Sequence, residues 1–320
     1  MATRVMIEAP SHVHVGNPDL NGSYGRLYGT LGFALKEPRL VLEGLTGEDG
    51  CDCRRRDAVA LYEKLSDDYG CSIGIRVHKE IPAHVGLGST TALYLAIAQA
   101  YDIICSGAKS NVLDLARLTG RGTVSALGVY SYMHGGMIYD GGYRINKRDI
   151  PPLVYRAHVP ERYKFIVAVP SRHIDKIRKL KQQEDEILES LPRMKPEFAD
   201  KASRIILVGI LPYVAEGDWE TAGKHITLFN SLLGEYWSGH QEGVYCCSDV
   251  DRLIRFLLGT GALLAGQSSW GPATYAMFDT HKVDLARILE ETRKLLDNMG
   301  GGHLWVTPVD NRGARIRVWS

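Results

Sequence analysis

Pro82-Ala83-His84-Val85-Gly86-Leu87-Gly88-Ser89-Thr90-Thr91 decides the fold, because it joins a glycine-rich turn to a helix of small and apolar residues that runs to Cys105. The two glycines let the backbone approach a ligand without a Cβ in the way. The three hydroxyl residues fall in the first helical turn, where unpaired N–H groups and the positive end of the helix dipole attract an anion. The spacing is neither the dinucleotide pattern nor the Walker pattern. The stretch therefore predicts a phosphate site at the start of a buried helix.

The composition is that of an ordinary globular protein, with 320 residues, 45% apolar, 23% charged and a net charge of +1. This length can form one large core or two moderate ones. No basic stripe runs along the chain, and Arg54-Arg55-Arg56, flanked by Asp52 and Asp57, is interpreted as a solvated turn. No apolar run reaches the ~20 residues of a membrane helix, and the N-terminus has no signal-peptide pattern. We expect a cytoplasmic protein that binds neither nucleic acid nor membrane.

The six cysteines predict no metal site and no disulfide framework. Cys51-x-Cys53 has no second pair at zinc-ligand spacing. Cys105 lies in an apolar helix, where a free thiol behaves as a small hydrophobe. We expect reduced thiols, as in an intracellular protein.

Strand and helix patterns mix without regular alternation, which favours an α+β fold over a doubly wound sheet. Strands are predicted at 5–7, 71–79, 163–169, 262–265, 274–278, 304–307 and 313–319, and helices at 57–69, 89–105, 113–118, 174–191, 203–216 (with a kink at Pro212), 218–237, 249–259 and 285–299. The proline turn Asp149-Ile150-Pro151-Pro152 marks a boundary. We divide the chain into domains at 1–155 and 156–320.

The phosphate loop and two further segments resemble the GHMP superfamily of galactokinase, homoserine kinase and mevalonate kinase. Pro82–Thr90 is similar to the second motif of that superfamily, Ala9–Gly16 to the first and Gly266–Pro272 to the third. The resemblance implies a GHMP-type two-domain fold. Its N-terminal half would be like ribosomal protein S5 domain 2, and its C-terminal half would be ferredoxin-like.

Within that superfamily the chain is similar to the β-ribofuranosylaminobenzene 5′-phosphate synthases over nearly its whole length. The shared stretches are Asp19–Gly22 with Gly25–Arg26, His84–Ser89, Gly120–Gly128, Gly135–Gly136, Asp140–Gly142, Pro151–Leu153, Gln241–Gly243 and Gly266–Pro272. The resemblance implies that phosphoribosyl pyrophosphate condenses with 4-aminobenzoate or 4-hydroxybenzoate, releasing pyrophosphate and CO₂, in methanopterin-type cofactor biosynthesis. It also implies Mg²⁺ as cofactor, and we expect a homodimer.

This chemistry needs a cradle for the departing pyrophosphate, aromatic walls and an arginine for the carboxylate. The expected catalytic residues are Arg26, Arg121 and His14; the expected ligand-binding residues are Gly86, Gly88, Ser89, Thr90, His84 and Trp270; the expected metal ligands are Ser89, Asp19 and Asp140. Structural alternatives stay open: the histidines as satisfied or packed residues, the arginines in surface ion pairs, Asp140 closing a turn and Trp270 in the core. Six other aromatic residues are assigned to packing: Tyr130, Tyr132, Tyr139, Tyr143, Trp237 and Tyr245.

Three alternative functions remain. A GHMP small-molecule kinase is one, although Gly128 stands where kinases of the family resembling mevalonate kinase carry an acid. A C-nucleoside synthase acting on a heteroaromatic acid is the second. The synthase pattern has arginine at the place of His12, aliphatic residues at Asn17-Pro18 and a less basic segment at Ser171–Lys176, so the acceptor could differ. The third is a phosphate sensor on a degenerate kinase scaffold.

Overall fold

The computed structural model describes residues 3–182 and 192–319, whose largest sheet has seven strands. These strands are β1 (Arg4–Gly16), β3 (Thr30–Leu45), β4 (Gly50–Asp52), β5 (Gly74–Lys79), β6 (Met137–Asp140), β8 (Leu153–Ala157) and β13 (Arg315–Trp319). The order is β13-β1-β3-β5-β4, and β6 pairs with both β3 and β8. Within this sheet β4 and β5 run parallel, while the other pairs are antiparallel.

A second, antiparallel sheet has the order β10-β11-β9-β12. Its strands are β9 (Tyr163–Pro170), β10 (Leu264–Gln267), β11 (Thr274–Asp279) and β12 (Gly302–Pro308). A short ribbon pairs β2 (Arg26–Leu27) with β7 (Tyr143–Arg144). Mostly antiparallel sheets with helices packed against them confirm the predicted α+β class.

The described helices are α1 (Arg56–Tyr69), α2 (Ser89–Ser106), α3 (Val112–Leu118), α4 (Leu127–His134), α5 (Ile174–Gln182), α6 (Pro196–Arg204), α7 (Leu211–Glu216), α8 (Trp219–Trp237), α9 (Ser248–Gly259) and α10 (Leu285–Asn298). A π-helical segment, Ile205–Ile210, lies between α6 and α7, next to Pro212. The break predicted there is thus a local widening of the helix. The last part of the predicted helix 174–191 lies outside the described residues.

Helix α2 positions the phosphate loop, because it is buried along most of its length and packs on β1 and β3. Gly88 precedes it and Gly107 follows it, each with φ of +73°. Glycine adopts this left-handed conformation without the steric cost of a Cβ. The buried helix from Ser89 that the loop predicts is confirmed.

The two sheets are joined by buried hydrogen bonds of Asn230, on α8. Its Nδ2 donates to the carbonyl oxygens of Val15 (2.7 Å) and Gln267 (3.0 Å), and its Oδ1 accepts from the Gln267 N–H. The chain does not divide into simple halves, because β13 returns from the C-terminal end to pair with β1. The boundary at residue 155 falls inside β8 and stays a prediction.

Four cysteines depart from the expectation of reduced thiols. Disulfides join Cys71 to Cys105, with Cα atoms 6.1 Å apart, and Cys51 to Cys53. The first pair arises because α2 ends beside the segment that leads into β5, and this separation is ordinary for a disulfide. Cys105 is therefore a cross-link rather than a free apolar side chain. Cys246 and Cys247 are buried and free.

Candidate active site

A cavity of about 480 Å³ lies at the start of α2 and has the size of a small-molecule site. Strand β1, the phosphate loop and residues 120–128 contribute to its lining. The end of α8, the segment 241–245 and the turn at 267–270 complete it. All three GHMP-like motifs thus meet at one cavity.

Gly86 and Gly88 are required by close approaches as well as by their backbone angles, φ +92° and +73°. A Cβ on Gly86 would collide with the carbonyl oxygen of Ser268, and one on Gly88 would overlap the imidazole of His12. Ser89 and Thr90 follow in the first turn and line the cavity. The first N–H groups of a helix have no partner within it, so this turn is suited to hold an anion.

Ser268 holds the phosphate loop to the rest of the cavity. Its Oγ donates to the Gly86 carbonyl oxygen (2.5 Å) and accepts from the His14 N–H (2.8 Å). The Ser269 N–H donates to the His14 carbonyl, and the Ala273 N–H donates to that of Val85. The third motif is therefore bonded directly to the first and second motifs.

Arg121 lies beside the same helical turn. Its Nε and Nη2 donate to Thr91 Oγ1, each at 3.3 Å, and its guanidinium carbon is 5.8 Å from the ring centre of Tyr94. It lines the cavity, and its role toward a ligand stays a prediction.

The charged lining of the cavity is cationic. Among the described residues that line it, the charged side chains are Arg121 and Arg148, three histidines contribute imidazoles, and none is aspartate or glutamate. The histidines are His12, His14 and His84, the last with φ of +60°. Such a lining favours a polyanionic ligand.

One part of the cavity lining is aromatic. Trp237 and Trp270 meet edge to face with ring centres 4.9 Å apart, and Tyr245 lies on the same wall. Burial raises the pKa of Tyr245 to about 12, so its hydroxyl is neutral at physiological pH. Side-chain amides of Gln241 and Gln267 border these rings and are bonded to each other at 3.3 Å. This aromatic part of the lining can hold a flat ring with a polar substituent.

Three predicted site residues lie outside the described cavity lining and are engaged in shaping turns. Arg26 donates to the carbonyl oxygens of Gly142 (2.6 Å) and Gly141 (3.3 Å), and Asp19 Oδ1 accepts from the Asn21 and Gly22 N–H groups. Asp140 is fully buried and accepts from backbone N–H groups of Ala126 and Gly142.

The predicted metal ligands do not fit a resident Mg²⁺ site. Mg²⁺ prefers an octahedron of oxygen ligands that includes carboxylates. Of Ser89, Asp19 and Asp140, only Ser89 lines the cavity, and the described residues contain no group of three or more histidine, cysteine or acidic side chains able to hold a metal ion.

Several residues at or beside the cavity are not among the site residues predicted from the sequence. Trp237 and Tyr245 line the cavity, although the sequence analysis assigns them to packing; their proximity to Gln241–Gly243 was the available signal. His12 lies against Gly88, and its position in the first motif could have indicated it. Arg55, interpreted as part of a solvated turn, is largely buried and bonded to Thr90.

The sequence matches the two domains of one protein family. Residues 56–136 match the GHMP kinases N terminal domain, and residues 210–297 match the GHMP kinases C terminal domain. Among solved structures, homoserine kinase from Cytophaga hutchinsonii is 19% identical, with a TM-score of 0.67 over 98% of this chain and 97% of that one. Galactokinase from Lactococcus lactis is 11% identical, with a TM-score of 0.63 over 98% and 95%. These matches confirm the predicted GHMP-type fold.

Curated relatives match over full length. "Beta-ribofuranosylphenol 5′-phosphate synthase" from Methanothermobacter thermautotrophicus is 31% identical over 98% of this chain and 99% of the relative. The proteins of that name from Methanocaldococcus jannaschii and Archaeoglobus fulgidus are 28% and 27% identical, each over 98% of this chain and at least 99% of the relative. Within the described residues, no helix combines the length and apolar character needed to cross a membrane.

Proposed function

Because the chain belongs to the GHMP family, in the branch of the β-ribofuranosylphenol 5′-phosphate synthases, we propose that it condenses phosphoribosyl pyrophosphate with a 4-substituted benzoate and releases pyrophosphate and CO₂. The observation that carries the proposal is the two-part lining of the cavity. Arginines, histidines and a helix N-terminus form one part, called the cationic end, and a cluster of tryptophans and a tyrosine forms the other, called the aromatic end.

The cationic end suits the phosphorylated donor. As the bond between ribose C1 and the pyrophosphate oxygen breaks, negative charge grows on the leaving group and the sugar becomes oxocarbenium-like. N–H groups at the start of α2, the hydroxyls of Ser89 and Thr90, and Arg121 stabilise that growing charge. Gly86 and Gly88 let the loop pack directly against Ser268 and His12, which holds the start of α2 at the cavity.

The aromatic end suits the acceptor. The ring carbon that bears the carboxylate attacks ribose C1 and forms the new C–C bond. The bond from that carbon to the carboxyl group then breaks, its electron pair restores the aromatic ring, and CO₂ leaves. Since CO₂ departs in place of a proton, the ring carbon needs no general base, which is consistent with the lack of carboxylates among the described lining residues.

We propose 4-hydroxybenzoate as the preferred acceptor. The relatives are named for a ribofuranosylphenol 5′-phosphate, and a phenol joined to ribose through carbon results when 4-hydroxybenzoate loses its carboxyl group. Gln241 and Gln267 line the cavity, and bonds to each other and to neighbouring backbone fix their side-chain amides there. Such a product would serve methanopterin-type cofactor biosynthesis, and Mg²⁺ would enter with the substrate's pyrophosphate.

The kinase alternative has less support in the cavity. A kinase resembling mevalonate kinase would use an acid to help activate the hydroxyl nucleophile, and the described lining has none. Gly128, at the place expected for such an acid, is closely surrounded: a Cβ there would lie 2.9 Å from the Thr91 side chain and 3.0 Å from His12.

The test is an assay with purified protein, Mg²⁺, phosphoribosyl pyrophosphate and a panel of acids: 4-hydroxybenzoate, 4-aminobenzoate and heteroaromatic carboxylates. We expect pyrophosphate release that depends on the acid and is fastest with 4-hydroxybenzoate. Fastest turnover of a heteroaromatic acid would support the C-nucleoside alternative instead. ADP formation from ATP with a hydroxyl substrate, without pyrophosphate release, would contradict the proposal.

A further inference from the structure

Arg55 differs from its two arginine neighbours in the turn before α1. Arg54 and Arg56 are exposed, whereas the side chain of Arg55 is only 13% exposed. Its Nη2 donates to Thr90 Oγ1 at 2.9 Å. Thr90 lines the cavity in the first turn of α2, so Arg55 reaches the phosphate loop from outside that loop.

One nitrogen of Arg55 lacks an acceptor among the described residues. Nη1 is buried and makes no hydrogen bond to any of them, although Nε and Nη2 are both engaged, with Asp57 and Thr90. A guanidinium has five N–H donors, and a buried donor without an acceptor costs free energy. Such an unsatisfied group calls for a partner that the described part of the chain does not supply.

The charge around Arg55 is only partly neutralised. Asp57 is its ion-pair partner, and Asp57 also accepts a hydrogen bond from the Tyr94 hydroxyl at 2.9 Å. Burial raises the pKa of Asp57, but hydrogen bonds from Arg55 and Tyr94 outweigh burial and lower it, so the carboxylate is ionised. Tyr94 in turn lies beneath Arg121. One carboxylate therefore accompanies two guanidiniums, which contact the adjacent residues Thr90 and Thr91.

We propose that Arg55, which lies directly behind the cavity lining and contacts Thr90 through Nη2, is a further phosphate-binding residue: its guanidinium turns to donate to an oxyanion held at Thr90, alongside Arg121. Arg55 and Arg121 then form a clamp across the first turn of α2. A planar guanidinium presents two parallel donors to phosphate oxygens, which a lysine ammonium cannot do. The assignment rests on the proposed function in that the anion is the pyrophosphate group of phosphoribosyl pyrophosphate.

The test measures binding of inorganic pyrophosphate, with Mg²⁺, to the full-length protein by titration calorimetry. Arg55→Gln is expected to weaken binding about tenfold or more, the effect of losing a charge-assisted hydrogen bond to a buried anion. Arg54→Gln, which removes an exposed charge one position away, is expected to leave binding within about twofold. The clamp would be overturned if Arg55→Gln bound pyrophosphate as tightly as wild type, or if Arg55→Gln and Arg54→Gln lost the same affinity for pyrophosphate.

Two further variants separate direct contact from positioning and guard against misfolding. Arg55→Lys keeps the charge, and we expect it to recover part of the lost affinity with an unchanged melting temperature. If Arg55 acted only by orienting Thr90, Thr90→Val would reproduce the whole loss, and adding Arg55→Gln would change nothing more; that result would overturn direct binding. We expect the double variant to bind more weakly than either single variant.

A measurement of turnover distinguishes failure of the Arg55–Arg121 clamp from failure of the proposed function. If Arg55→Gln binds pyrophosphate normally while wild type makes product from phosphoribosyl pyrophosphate, the clamp is wrong and the function stands. If wild type binds pyrophosphate through Arg55 but converts no aromatic acid, the clamp stands and the function is wrong. If wild type does not bind pyrophosphate, the clamp is wrong whatever the assay of turnover shows.

Discussion

Ser268 donates its hydroxyl to the carbonyl oxygen of Gly86 at 2.5 Å, across 182 positions of sequence. The same hydroxyl oxygen accepts the His14 N–H, so one side chain joins the phosphate loop, β1 and the C-terminal turn. Because Ser268 is fully buried, water cannot replace these bonds readily. The loop's shape therefore depends on a residue that lies far away in sequence.

Ser268→Ala should destabilise the protein and loosen the cavity together. The change leaves a backbone carbonyl and a backbone N–H without their partner, which costs about 1–3 kcal/mol. We expect a matching fall in the free energy of unfolding in urea and a rise in KM for phosphoribosyl pyrophosphate. Ser231→Ala is the control, since the Ser231 hydroxyl donates to the Leu228 carbonyl on its own helix, away from the cavity lining given by the described residues. A Ser268→Ala protein with unchanged KM would contradict this role.

Gly88 and Gly107 form a matched pair for the loop. Both have φ of +73° at the two ends of α2, but a Cβ on Gly107 meets nothing within 4 Å, whereas one on Gly88 overlaps His12. Gly107→Ala should cost only the left-handed strain, about 1–2 kcal/mol, and keep full turnover. Gly88→Ala should cost about 1–3 kcal/mol more and lose most turnover. Urea unfolding and steady-state rates measure both, and equal effects of the two changes would refute the close approach.

Substitutions at the aromatic end and at the cationic end of the cavity should raise KM for different substrates. Trp237→Ala removes one wall of the aromatic end, so KM for 4-hydroxybenzoate should rise about tenfold, from the loss of aromatic contacts worth about 1.5 kcal/mol. KM for phosphoribosyl pyrophosphate should stay within about twofold. Arg121→Gln should show the opposite pattern. Trp305→Ala, in β12 and outside the described cavity lining, is the control. A Trp237→Ala protein whose KM changes only for the phosphorylated donor would reverse the assignment.

Asp140 should make stability fall as pH rises. Burial raises the pKa of this carboxyl to about 6 in the folded protein, against backbone hydrogen bonds that lower it. The folded state therefore binds the proton more tightly than the unfolded state. Its contribution to the free energy of unfolding is complete below about pH 4 and is lost as pH rises through about 6, by about 3 kcal/mol in all.

The measurement compares wild type with Asp140→Asn in urea unfolding at pH 4, 5, 6 and 7. The side-chain amide of the variant cannot ionise, so the difference in stability between the two proteins should change with pH and should favour wild type most at pH 4. A difference that is the same at all four values would show that Asp140 does not titrate in this range.

Much of the fold follows from local sequence. The loop Gly86–Thr91 predicts the buried helix α2, and the Asn111 side chain caps α3 by accepting from the Asp114 N–H, as its spacing indicates. The long strand β3 (Thr30–Leu45) was missed. It carries glycine, proline and charged residues within one strand, and its conformation depends on pairing with β1 on one side and with β5 and β6 on the other.

The site was predictable where it is local and was missed where it depends on packing. Ser89, Thr90 and Arg121 lie at the cavity because their motifs supply backbone geometry. The burial of Arg55 beside the phosphate loop could not be predicted from the sequence, since it depends on the packing of α2 against α1. Asp140 was expected at the ligand, yet its carboxylate holds backbone N–H groups of two turns.

The most direct test of the account is to follow 4-hydroxybenzoate labelled with ¹³C in its carboxyl group during turnover with phosphoribosyl pyrophosphate and Mg²⁺. Labelled CO₂, pyrophosphate and a ribosylated phenol should appear in equal amounts, and the new bond should join ribose C1 to the ring carbon that carried the carboxyl group. Pyrophosphate release with the label retained in the product, or a product linked through oxygen, would contradict the account.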